Sequence, residues 1–116
     1  MKKATIILFV LITSLGFSQD KATQLKLDSL EAILSKTKND SLKLKTLLGL
    51  GRDYGLYTNK RVFEFNEKGI ALATKMNKPI AIAEAYANYS NYYERINDTL
   101  KQKVYLDKIF ALGNEK

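Results

Sequence analysis

Turn-forming residues break this chain at intervals of about twenty residues, and the stretches between them repeat apolar side chains three or four positions apart. Lys38-Asn39-Asp40, Gly55 to Asn59, Asn77 to Pro79 and Asn97-Asp98 are the breaks. A strand would alternate apolar and polar residues, and no such signal competes with the helical stripes. The pattern predicts an all-α chain whose short turns force successive helices to lie antiparallel.

The individual helices follow from their stripes and caps. Leu27, Leu30, Ile33 and Leu34 share a face over about 22–38. Asp40 or Ser41 can cap a second helix to about 56, with Leu44, Leu47, Leu48 and Tyr54 inward. After Asn59 a third carries Val62, Phe63, Ile70, Ala73 and Met76 inward, and Lys60, Glu64, Glu67, Lys68 and Lys75 outward. Pro79, the one proline, suits the first turn of a fourth, where its missing N–H costs nothing. Thr99-x-x-Gln102 has the form of a capping box for a fifth that reaches Gly113.

The first eighteen residues belong to a different regime. Lys2 and Lys3 precede an apolar run from Ala4 to Leu15, and Gly16-Phe17-Ser18 places small residues before a cleavage point. This predicts a secretory signal peptide over 1–18, and an exported, periplasmic domain over 19–116. The rival is an uncleaved anchor, but a span needs roughly 20 apolar residues and this run is shorter. Removing 1–18 takes away two lysines and no acids, so the net charge falls from +7 to +5. The lysines are spread along the chain, which reads as solvated helix faces and not as a nucleic-acid patch.

No cysteine and no histidine occurs, so thiol nucleophiles, histidine bases, disulfides and the commonest zinc ligands are excluded. Gly49, Gly51 and Gly55 lack the strand and the lysine of a phosphate loop. Glu31, Glu64, Glu67, Glu84 and Glu94 lie among lysines on outward faces, not converging in a cleft. Of the tyrosines, Tyr54, Tyr86, Tyr89 and Tyr93 fall at core spacing, while Tyr57, Tyr92 and Tyr105 fall off the stripe. Neither an enzyme, a cofactor nor a small-molecule substrate is expected.

Residues 83–112 contain Tyr86, Tyr89, Ser90 and Tyr93 in the order bulky, bulky, small, bulky, and an earlier copy stands at Leu50-Gly51 with Tyr54. This resembles the tetratricopeptide repeat, with Tyr54 and Tyr93 lying 39 residues apart. Gln102 departs from the family pattern, which prefers alanine there. The resemblance implies a short solenoid of stacked helical hairpins, repeat one over about 41–77 and repeat two over about 79–112, preceded by a solitary helix. The order of signal, Asp-Ser-Leu helix, Lys-Asn-Asp turn and repeats is similar to exported N-terminal segments of Bacteroidetes sensor kinases and regulators.

Such arrays use the face lined by the first helix of each hairpin to bind protein. The resemblance implies an exported interaction or scaffolding module, the alternative being the truncated sensory front of a longer regulator. The candidate face holds Lys45, Leu48, Arg52 and Leu56 in repeat one, and Glu84, Ala87, Asn88, Asn91, Glu94 and Arg95 in repeat two. Lys45, Arg52 and Arg95 would favour an acidic peptide through charge-assisted hydrogen bonds. The apolar face of the last helix, with Val104, Leu106, Ile109, Phe110 and Leu112, is expected to support self-association.

Overall fold

The computed structural model describes residues 21–114, and within them the chain is all-α. The signal peptide expected over 1–18 lies outside the described residues. A first helix, α1, covers residues 21–36. It is followed by α2 (Asp40–Leu56), α3 (Arg61–Lys75), α4 (Pro79–Arg95) and α5 (Thr99–Asn114). Helices α2 and α3 form one antiparallel hairpin, and α4 and α5 form the next. The hairpins stack through α3 against α4 and α2 against α4.

One backbone device ends three of these helices. Thr58, Asn77 and Asn97 follow α2, α3 and α4 in the left-handed region, at φ of 52°, 56° and 60°. In each case the N–H after that residue donates five residues back: Asn59 to Tyr54 at 2.9 Å, Lys78 to Ala73 at 2.8 Å and Asp98 to Tyr93 at 2.8 Å. The left-handed residue's own N–H also bonds inward, as Asn97 does to Glu94 at 3.1 Å. This is the Schellman closure, which satisfies carbonyls that a helix end would leave bare. Asparagine tolerates the left-handed conformation, whereas Thr58 carries a β-branch into it.

The N-terminal caps sit one residue earlier than two of the expectations. Asn39, and neither Asp40 nor Ser41, caps α2 by accepting from Leu42 N at 3.0 Å. Asp98, and not Thr99, accepts from Lys101 N at 3.1 Å, so the Thr99-x-x-Gln102 box is not formed. Asn59 acts as expected, its Oδ1 accepting from Arg61 N at 2.9 Å.

The core has an aromatic end and a small-residue end. Leu27, Leu47, Leu50, Tyr54, Val62, Phe65, Tyr89, Tyr92 and Tyr93 fill the first. Leu44, Leu48, Ala73, Ala81 and Ala85 fill the second. Tyr54 stacks on Phe65 at 5.4 Å within hairpin one, and Tyr93 stacks on Tyr105 at 5.7 Å within hairpin two. Phe65, absent from the inward stripe expected for α3, is buried because that helix must face α2 as well as α4. Tyr92 is likewise buried, held edge-on to Phe63 at 5.3 Å, while Tyr86 and Tyr105 are half-buried and Tyr57 is exposed.

Between the two hairpins lies a buried amide pair. Asn88 Nδ2 donates to Asn66 Oδ1 at 2.9 Å and to the Leu48 carbonyl at 3.1 Å, and Asn66 Nδ2 donates to the Val62 carbonyl at 2.8 Å. Asn66 lies directly against the Gly51 backbone, where any Cβ would collide with its amide. Gly51 therefore lets two helices approach around an asparagine.

Candidate binding groove

A groove of about 890 Å³ opens between α1, α2 and α4. Helix α2 contributes Leu44, Lys45, Thr46, Leu48, Gly49, Arg52 and Asp53, positions that recur at helical spacing along one side of it. Helix α4 contributes Ala81, Glu84, Ala87 and Asn88, and α1 contributes Lys26, Leu30 and Ile33. Lys78, in the turn before α4, completes one end. The result is an apolar floor with charge on its rim.

Of the six residues singled out in the sequence, Lys45, Arg52, Glu84 and Asn88 line this groove. Asn91 and Arg95 do not. They continue the α4 stripe one and two turns further, past the point where its lining ends at Asn88, and both are exposed there. Leu56, expected on the same face, is outside the lining too. Asn88 is only 9 % exposed and commits both donor bonds to Asn66 and Leu48. Its amide donors hold α4 onto α2 and α3, so Asn88 lines the groove without a free donor.

The charges are partly spoken for. Asp53 has a side chain only 4 % exposed, with Lys26 Nζ 3.3 Å from Oδ2 and Arg52 Nε 3.2 Å from Oδ1. The Lys26 ion pair lacks hydrogen-bond geometry, and Oδ2 is left as the one buried side-chain oxygen or nitrogen without a hydrogen bond among the described residues. Arg52 is thus held by Asp53. Lys45 and Lys78 have no ion-pair partner among the described residues.

Helix α1 is bound to the first hairpin by a polar cluster that the sequence concealed. Arg61 Nη2 lies 2.7 Å from Glu31 Oε1, and the Tyr54 hydroxyl donates to Glu31 Oε2 at 3.1 Å. The Arg61 guanidinium also sits 5.0 Å over the Tyr54 ring and 4.9 Å over Phe65. Glu31 holds the Arg61 guanidinium more firmly protonated than usual, Glu64 adding to the effect. At the next interface the Tyr89 hydroxyl donates to Glu67 Oε1 at 2.7 Å, and burial pushes that phenol far above its ordinary range. Glu31 and Glu67, expected as solvated acids, are therefore links between helices. A glutamate one helix upstream of a core tyrosine is the pairing that both share, but its partners are 23 and 22 residues apart and leave no local signature.

Among the described residues no group of acidic, histidine or cysteine side chains is arranged to hold a metal, and no helix is long and apolar enough to cross a membrane. Neither a family model, a curated protein nor a solved structure matches the chain. The groove's own chemistry is consequently the basis for a functional reading.

Proposed function

We propose that this protein is an exported, non-catalytic interaction module of tetratricopeptide type, whose groove between α1, α2 and α4 holds an acidic peptide segment with apolar side chains. The observation that carries the reading is the pairing of an apolar floor, Leu30, Leu44, Leu48 and Ala81, with two rim lysines, Lys45 and Lys78, that have no ion-pair partner among the described residues. Pockets of several hundred Å³ lined mainly by apolar side chains are the usual form of a binding site. The lysines attract carboxylates. Of the three cations expected to favour acid, Lys45 keeps that role, and Lys78 takes the place of Arg52 and Arg95. Export is supported by Lys2-Lys3, the apolar run and the small residues ending at Ser18.

Fluorescence anisotropy with a labelled peptide of alternating glutamate and leucine tests the proposal. Lys45→Glu together with Lys78→Glu should weaken binding by about tenfold or more, since each places a like charge against the ligand. Arg95→Glu, outside the groove, should change it by less than about twofold. Equal effects of the two, or no binding by the unmodified chain, would refute the groove as the site.

A further inference from the structure

Independently of the groove, the outer face of α5 is built to match itself. None of the residues of α5 is fully buried. It rests on α4 through Gln102, Tyr105, Ile109 and Leu112, all half-buried, so Ile109 and Leu112 are not part of its free surface. On the opposite side stand Leu100, 80 % exposed, and Phe110, 71 % exposed, with Val104 and Leu106 at 49 % and 41 %. Between Leu100 and Phe110 lie Lys103 and Asp107, whose side chains are 76 % and 64 % exposed.

Leu100, Lys103, Asp107 and Phe110 fall at the spacing of a heptad seam, three residues then four then three. We infer that this face is a homodimer interface in which α5 of one copy pairs antiparallel with α5 of a second copy about a two-fold axis that crosses the seam midway between Lys103 and Asp107. Reading the stripe backwards brings Leu100 opposite Phe110 and Lys103 opposite Asp107, so apolar meets apolar and cation meets anion, twice. Parallel pairing would set Lys103 against Lys103 and is disfavoured by like charge. Within one copy Lys103 Nζ is already 3.5 Å from Asp107 Oδ2, and dimerisation extends that pair to a four-charge cluster. A two-fold axis needs one patch complementary to itself, which this stripe supplies. Four exposed apolar side chains make a small patch, at the low end for a specific interface, which gives a weak, reversible dimer.

Sedimentation velocity on the full chain tests the register with charge swaps. Lys103→Asp makes the seam wholly acidic and Asp107→Lys makes it wholly basic, so each alone should weaken self-association by about tenfold or more. Their equimolar mixture should form a heterodimer, and Lys103→Asp with Asp107→Lys in one chain should dimerise like the unmodified protein. Both positions are solvent-exposed, and circular dichroism should show unchanged helicity in every variant. A monomeric unmodified chain at about 1 mM, single variants that associate as the unmodified chain does, or a mixture that stays monomeric would each overturn the inference. Association through the apolar residues 4–15 would be indifferent to these charges and would give the second of these results.

Discussion

Gly51 and Asn88 illustrate how far a single position is decided by a distant one. A Cβ at Gly51 must displace the Asn66 amide, which is fully buried and bonded to Asn88. Gly51→Ala is expected to destabilise by about 1–3 kcal/mol, through overpacking and a broken buried hydrogen bond. Gly49 has nothing within 4 Å of where its Cβ would stand. Gly49→Ala should stabilise by about 0.5–1 kcal/mol, because a helix-interior glycine is replaced by the best helix former without a clash. Urea unfolding of the two variants separates them by sign, and a shared sign would contradict the packing at Gly51. Asn88→Ala leaves the buried Asn66 Oδ1 without its donor and removes a second bond to the Leu48 carbonyl, and should cost about 1–3 kcal/mol in the same assay.

At the level of the helices, existence and order were legible from the sequence because each helix carries a 3.6-residue stripe and each turn carries asparagine or glycine. The ends were less so. Asn39 and Asp98 cap where neighbouring Asp40 and Thr99 look equally competent, since any of these side chains can accept a backbone N–H and the turn geometry chooses among them. The three left-handed closures predict an asymmetry between equivalent sites. Thr58→Gly should stabilise by about 1 kcal/mol by removing a β-branched side chain from positive φ, whereas Asn97→Ala should destabilise by up to about 1 kcal/mol. Thermal unfolding followed by circular dichroism checks both, and an unchanged midpoint for Thr58→Gly would show that its conformation carries no strain.

Across the whole molecule the helices are joined by tyrosine hydroxyls and stacked rings, and this gives the fold an alkaline weakness. Burial, the leading cause in each case, raises the phenols of Tyr54, Tyr89, Tyr93 and Tyr105 above the ordinary 10.0. The unfolded chain then sheds protons that the native state keeps, so the stability these groups give is intact below pH 10 and is lost as pH rises above it. The slope is about 1.4 kcal/mol per pH unit for each phenol still protonated in the native state while ionised in the unfolded one. Guanidinium unfolding between pH 9 and 11 should show this decline, and Tyr89→Phe should make it shallower. An equally steep decline in Tyr89→Phe would remove Tyr89 from the account.

The candidate site was only half readable from sequence, for a reason that lies at this same scale. Lys45, Arg52, Glu84 and Asn88 sit on stripes that periodicity identifies, but the length of the groove depends on where α4 stops lining it, which excludes Asn91 and Arg95. The third wall, Lys26, Leu30 and Ile33, belongs to a helix that looks like a plain cap, and its docking depends on Glu31 reaching Arg61 thirty residues away. Long-range ion pairs leave no period to read. Chemical-shift mapping by NMR, with the glutamate–leucine peptide titrated into the labelled full chain, tests the central claim that this groove is the binding surface. The account predicts the largest shifts at Lys45, Gly49, Arg52, Lys78, Glu84 and Ala87, and little change along α3. Shifts confined to α5 or to the outer side of α3, with the groove residues unmoved, would contradict it.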